Sequence, residues 1–449
     1  MEVVNGGHQL ETAYEKGNEN FPAVFFLDRA LFHRCMSRLP EPALDLDAAL
    51  MSCTSSYDEN KAIATEYFKW VHPWLPFLSR QRFMERVLNP LSPRRPAKML
   101  LLSAMKLLST PPPEDSPATT DEYHAIKASL LRSDALNILD LTIFQVKILV
   151  ALYELGHAIF PAAYLSIGYC MRYGNALGIN TAIDGGTHGY MITDRVELEE
   201  QRRGWWALLI LDRYISLGCP EHVLLVTDPA SNSILPMDDA AWDRSDFDSA
   251  PQRLLSSAPT EAMGRFSLTA QSAILLGKVF RNVQDSEDNG GLRAQDAQIL
   301  DKTLAALTNV SLQEGRFRGV GVCSPTTICY SARLLLHDIS RLPTPMSVRT
   351  KLQCFPANEV LDLAANMLKL ARAMIGGDCF TANDSSPFCF EATYRATLFY
   401  AHRYAEDGQE DDFKAFQDTK AALAVGGTRW RAAAAFLQMI QAREAMDML

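Results

Sequence analysis

The chain has 449 residues, a formal net charge of −10, 48% hydrophobic residues and 21% charged residues, the composition of a soluble globular protein able to bury a large core. The acidic balance argues against a basic face that holds nucleic acid through phosphate contacts. Nine cysteines without a C-x-x-C pair exclude the commonest zinc and dithiol motifs and point to reduced thiols in an intracellular protein.

The opening MEVVNGGHQLETAYEKG is polar and acidic, unlike a secretory leader. Residues 1–60 carry four basic and ten acidic side chains, with Pro22, Pro40 and Pro42 between short apolar pieces. They read as a partly ordered acidic arm that docks on the main body, AVFFLDRALF (residues 23–32) being its anchor. Residues 61–449 read as one all-α body.

Helical periodicity predicts helices at 62–71, 79–88, 97–109, 121–139, 142–158 and 161–177. HPWLPFLS lies after the first as an extended turn enforced by two prolines. PPPEDSPATT (111–120) is predicted to be a mobile loop, and Gly178 closes the sixth helix. The nearest approach to a membrane span, Lys147 to Arg172, contains Glu154 and His157 and is divided at Pro161.

The central stretch is Asp194 to Pro220, DRVELEEQRRGWWALLILDRYISLGCP. Asp194 and Glu197 have capping-box spacing, and acidic side chains crowd the first turns where the macrodipole favours them. Trp205 to Leu211 is apolar all round, which predicts a buried helix. Gly218 and Pro220 are expected to close it, with Gly218 as a left-handed cap. Residues 220–260, rich in Pro, Asp and Ser, are predicted to make a long surface excursion. Further helices are predicted near 262–284, 295–313, 325–340, 357–375, 387–405, 410–424 and 428–446, with DSEDNGG (285–291) as an acidic loop. No strand series and no fixed-period repeat appears, so the fold class is all-α.

RRGWWALLILDRYISLG resembles the signature helix of the fungal-specific transcription factor domain, the middle homology region of fungal zinc-cluster regulators, and within it the cutinase transcription factor-like branch. EYFKWVHPWLPFLSRQRF (66–83), residues 151–180, LPMDDAAWD (235–243), SLTAQSAILLGKVF (267–280) and RWRAAAAFLQMI (429–440) resemble other parts of the same domain in the same order. The resemblance implies a non-catalytic regulator of transcription. Members usually place a binuclear zinc cluster of six cysteines ahead of this domain, whereas residues 1–60 hold only Cys35 and Cys53. The expectation is therefore a domain without its zinc cluster, making no direct DNA contact. A truncated gene model with the cluster upstream is the mundane alternative. Gly218-Cys219-Pro220 also departs from the family's Gly-Arg-Pro-like ending.

The signature positions are Trp205, Trp206, Asp212, Arg213, His72, Pro73 and Trp74, read as structural. Trp205 and Trp206 could line an effector pocket, but aromatics dominate core burial. Asp212 and Arg213 point about 100° apart on a helix and are expected to pair with other helices. His72 is expected to bond backbone at its turn. Glu154 and His157 have the spacing of metal ligands without the rest of H-E-x-x-H, and read as a solvated or capped pair. Free thiols are the reading for Cys323 and Cys329, and a flexible loop for GRFRGVGVC (315–323). No catalytic, cofactor or metal set emerges: G-x-S-x-G, the P-loop and G-x-G-x-x-G are missing, and Tyr164 stands where a nucleophile elbow ahead of Ser166 needs glycine.

The leading reading is a transcription regulator of a fungal metabolic or secondary-metabolite pathway, nuclear and shared with the cytoplasm. Its partners would be other transcription regulators or a second copy, with a small-molecule effector as an addition and no membrane. The second reading is a helical domain recruited as a biosynthetic enzyme or small-molecule binder.

Overall fold

The computed structural model describes residues 27, 56–89, 91, 95–113, 115–184, 194–219, 222–260, 263–284, 292–317, 324–337, 357–377 and 381–446. Within them lie fifteen α-helices, and one isolated bridge between Ile234 and Leu254 is the extended pairing among the described residues. The architecture is all-α. Most of the arm, the acidic loop 285–291 and the glycine-rich 318–323 fall outside the described residues.

Helix α1 (Tyr57–Trp70) begins inside the stretch read as an arm. The reason is a capping box: Glu59 N–H donates to Ser56 Oγ, and Ser56 N–H to the Glu59 carboxylate. After the HPWLPFLS turn come α2 (Arg80–Arg86), capped by the Ser79 hydroxyl, and α3 (Pro96–Ser109), opened by a proline at its first position. Helices α4 (Asp121–Ala135), α5 (Leu141–Gly156) and α6 (Ala162–Leu177) follow, and Gly178 at φ 74° closes α6 as expected.

Helix α5 is the axis of the N-terminal half, buried at every position from Ile143 to Gly156. Such a helix needs neighbours on all sides, and α3, α6 and the signature helix α7 (Arg195–Ile215) provide them. Its two charged residues take separate partners. Lys147 bonds Asp134 at 2.9 Å, and Glu154 receives the Tyr123 hydroxyl at 2.7 Å and Lys127 at 2.8 Å. Glu154 and His157 are thus not a pair. The His157 ring lies against Tyr153 and Trp430, and burial pushes its pKa down to about 3, so it is neutral.

Beyond the short α8 (Asp239–Asp243), α9 (Arg265–Gln284) packs on α7, α10 (Leu292–Phe317) and α11 (Ser324–His337). The last bundle holds α12 (Ala357–Gly376), α13 (Phe390–Asp407), α14 (Glu410–Gly427) and α15 (Arg431–Ala445). One apolar cluster runs from Ala64 through to Ala433 and joins the two halves.

Two of the expected loops are held by bonds from other parts of the chain. The loop after α3 is tied down: Tyr153 Oη donates to the Ala118 carbonyl at 2.6 Å, and Arg431 donates to the carbonyls of Pro113 and Ser116. Those donors lie in distant sequence, which local composition cannot reveal. Residues 222–260 run over the surface for part of their length, but not throughout. Val226, Ser233, Ile234, Leu235, Ala241 and Trp242 are buried, so the part from 226 to 242 is a strap pressed against the core, whereas 243–260 contains no buried residue.

Gly156, the last residue of α5, gives a test of this packing. An added Cβ would sit 2.5 Å from Cε3 of Trp430, whose Nε1 is held 2.9 Å from the Ser385 carbonyl. Alanine is the better helix former by about 1 kcal/mol, yet Gly156→Ala should lower stability by about 1–3 kcal/mol through overpacking. Urea unfolding measures it, and a gain in stability would show that the indole can move.

Candidate functional site

The family-signature positions converge on α7 and the two segments that cross it, the HPWLPFLS turn and the strap. Asp194 caps α7 by accepting from Val196 N–H, but the expected capping box is incomplete. Glu197 turns outward to Arg82 at 2.7 Å, because a guanidinium from α2 offers a stronger partner than the cap amide. The helix ends at Ile215 and passes into a 3-10 turn, Ser216–Gly218, so Gly218 is not the left-handed cap.

The residue at the centre is Arg203, which lay inside the motif without being singled out. Its side chain is 0% exposed. Nε donates to Glu199 at 3.0 Å, one amino group to the Pro76 carbonyl at 2.8 Å and Asp239 at 3.1 Å, and the other to the Met237 carbonyl at 2.6 Å. The guanidinium also lies 4.9 Å from the Trp242 ring and 5.4 Å from that of Phe266. One planar cation therefore clamps the HPWLPFLS turn, α7, the strap and α8 together. The i, i+4 spacing of Glu199 and Arg203 was the available signal.

Neighbouring bonds repeat the pattern. Glu199 accepts Met237 N–H at 2.9 Å, Trp206 Nε1 donates to Ile234 O at 2.9 Å, and Ser267 Oγ donates to Pro236 O at 2.6 Å. Trp205 packs towards Gly174, where a Cβ would lie 3.1 Å from its ring. Both tryptophans are buried.

Asp212 and Arg213 pair with each other, not with other helices. The flexible arginine side chain folds back across the 100° between them, which helix geometry alone does not forbid. Asp212 accepts Leu225 N–H at 3.2 Å and Val226 N–H at 3.1 Å, and Arg213 donates to the Val226 carbonyl and to Asp228 at 2.9 Å. A Cβ at Gly277 would come 2.9 Å from Arg213 Nε, so α9 closes over the pair.

At the other end, His72 Nε2 meets the Asp243 carboxylate at 2.8 Å, a side-chain partner where a backbone one was expected. Burial pushes Asp243 up, but the His72 hydrogen bond and nearby positive charge outweigh it and hold the carboxyl below its usual range. The Pro73 carbonyl accepts from Arg265 at 3.0 Å. Trp74 donates to the Trp70 carbonyl at 2.7 Å and stands edge-on to Phe388 and Trp430.

Among the described residues, Asp301, His337 and Glu359 bring three metal-ligand-type atoms within 4.8 Å of one another. Arg333 donates to both Asp301 oxygens, at 2.7 and 2.8 Å. That carboxylate is already matched by a fixed cation, which makes Asp301, Arg333 and His337 a buried ion-pair cluster with the half-exposed Glu359 at its edge.

Glu200 carries the site's pH dependence. It is buried at the junction with α2, accepting Ser79 N–H at 2.9 Å and lying 3.1 Å from Arg82. Burial pushes its pKa up to about 7, against the pull of Arg82 and with help from the charges of Glu197 and Asp194. A carboxyl raised on folding disfavours the folded state once it must ionise. Its penalty is absent below the unfolded value near 4.5 and grows to roughly 3 kcal/mol as pH rises past 7. Glu200→Gln should therefore gain stability on wild type between pH 5 and 8, read from paired urea titrations. A constant difference across that range would place the Glu200 carboxyl in the ordinary range.

The body is an all-α scaffold in which the buried charges of the signature helix are bonded to the chain's own crossing segments. The fungal-specific transcription factor domain matches residues 64–304, more than half the chain, and the chain belongs to that family. It is 32% identical over 182 residues to Transcription factor BOA15 of Botryotinia fuckeliana, covering 40% of this chain and 99% of that protein. It is 28% identical over 193 residues to Cutinase transcription factor 1 alpha of Fusarium vanettenii, covering 40% of this chain and 20% of the relative. Identity to the Xylanolytic transcriptional activator xlnR of Aspergillus clavatus is 42% over 115 residues, 23% of this chain and 12% of the relative. The chain thus spans nearly all of the first relative but a fifth or less of the other two. No solved structure matches. The protein is a transcription regulator, and no helix among its described residues is long and apolar enough to cross a membrane.

Proposed function

We propose that this chain regulates a fungal metabolic pathway, secondary metabolism included, by protein contacts with other transcription regulators or a second copy. A small-molecule effector is an added input, and the nucleus is the working compartment, shared with the cytoplasm. The observation that supports this most is the use made of the signature helix. Arg203, Asp212 and Arg213 bond the chain's own carbonyls, amides and carboxylates, so the motif holds the scaffold together and its polar groups are engaged within the chain. The net charge of −10 and the unpaired spacing of the cysteines favour a route to DNA through a partner.

Chromatin occupancy of the tagged chain, combined with transcript profiling of its deletion strain, tests the reading. Occupancy at promoters with a coherent block of changed transcripts is expected. No occupancy and unchanged transcripts, with one metabolite missing, would favour the recruited-enzyme reading instead.

A further inference from the structure

Among the described residues five arginines are buried. Arg203, Arg213, Arg265 and Arg395 each lie against a carboxylate, that of Glu199, Asp212, Glu314 or Glu391. Arg429, just ahead of α15, is 3% exposed and has no acidic partner among those residues. Nη2 donates to the Leu108 carbonyl at 2.6 Å and the guanidinium lies 4.2 Å from the centre of the Trp430 ring, whereas Nη1 has no hydrogen-bond partner. A buried cation without a counter-charge is costly. Burial pushes the pKa of Arg429 down to about 10, and no carboxylate opposes it.

The neighbouring imidazole is idle as well. His157 is 3% exposed, and neither ring nitrogen has a hydrogen-bond partner. Its ring borders the same indole, with centres 5.4 Å apart, and lies against Tyr153 at 4.4 Å. After burial, the charge of Arg429 is the largest influence on it. A neutral imidazole offers one donor and one acceptor, and the fold uses neither. Tyr153 differs, since its hydroxyl is satisfied by the Ala118 carbonyl. Glu122, the carboxylate whose charge reaches Tyr153, is paired with Lys106 at 3.4 Å.

A buried guanidinium with an open amino group beside an imidazole N–H has the donors of an oxyanion receptor. Charge selects the anion. His157 is neutral, so Arg429 alone can match one negative charge, that of a carboxylate and not of a phosphate dianion. The aromatic rings of Tyr153, Trp430 and Trp74 suit a small organic body. We infer that Arg429 and His157 hold the carboxylate of a small organic acid, its oxygens taking Arg429 Nη1 and an imidazole N–H. The inference rests on the regulator reading, in which this acid is the effector. Arg429 bonds the Leu108 carbonyl and Arg431 those of Pro113 and Ser116, so the acid joins α15 to α5 beside the loop after α3.

Isothermal titration of the full chain tests it, with sodium acetate as probe at pH 7 and constant ionic strength. Acetamide is the neutral isostere and inorganic phosphate the doubly charged rival. Expected is saturable binding of acetate at one site per chain, with acetamide and phosphate at least tenfold weaker. Arg429→Met, whose side chain needs no counter-charge, and His157→Phe should each weaken acetate at least tenfold. The comparison of acetate with acetamide needs no variant, so a misfolded substitution leaves the test intact. Absence of saturable acetate binding would overturn the inference. So would equal binding of acetamide, tighter binding of phosphate, or affinity unchanged in a folded Arg429→Met. None of these results bears on promoter occupancy, and loss of occupancy leaves the titration unaltered, so this inference and the regulator reading fail separately.

Discussion

Replacing Arg203 by alanine should destabilise the protein by about 3–5 kcal/mol, the effect of removing one partner from a buried ion pair and leaving the other uncompensated. Glu199 would lose the fully buried half of its pairing, Asp239 one bond, and the carbonyls of Pro76 and Met237 their donor. Lysine should recover little, because a single ammonium cannot reach four acceptors fixed by a planar fork. Urea unfolding gives the magnitude, and hydrogen exchange gives the place: protection should fall first in residues 72–79 and 234–242. A loss below about 1 kcal/mol, smaller than even an ordinary neutral hydrogen bond with its desolvation penalty, would mean that apolar contacts hold the strap and the guanidinium is incidental.

Trp206→Ala is expected to be of similar size, about 3–5 kcal/mol, the range for removing a large aromatic from a packed core. The side chain is wholly buried and its Nε1 donates to Ile234 O. Trp206→Phe separates the two contributions. It retains most of the apolar volume but leaves a buried carbonyl unpaired, so about 1–3 kcal/mol should remain. If Trp206 instead lined an effector pocket, alanine would barely alter stability in the absence of ligand. Thermal and urea unfolding of the two variants therefore decide between the core role and the pocket role considered for this residue.

These two residues also show where sequence reading stops. Helix α5 was legible because its apolar residues continue without a polar face, which only burial on all sides can satisfy. Gly178 was legible because a left-handed closing conformation is a property of glycine itself. The strap was not, since Pro, Asp and Ser in 222–260 have the composition of a surface loop. Its burial depends on Arg203, Trp206, Asp212 and Ser267, all of which bring hydrogen bonds to its backbone from other elements. The loop after α3 is the same case, bonded by Tyr153, 35 positions away, and by Arg431, more than 300 positions away. His72 follows the same logic: its carboxylate partner, Asp243, lies 171 residues on.

By itself, the sequence determined the all-α class, the order of the helices and the family to which the signature helix belongs. Those properties rest on local periodicity, capping and motif spacing, which short stretches carry unaided. Tertiary structure alone decided which loop segments are held against the body, that Arg203 is the clamp, and that Asp212 and Arg213 face each other. A buried charge takes whichever partner the fold brings within about 3 Å, and no spacing along the chain specifies that choice.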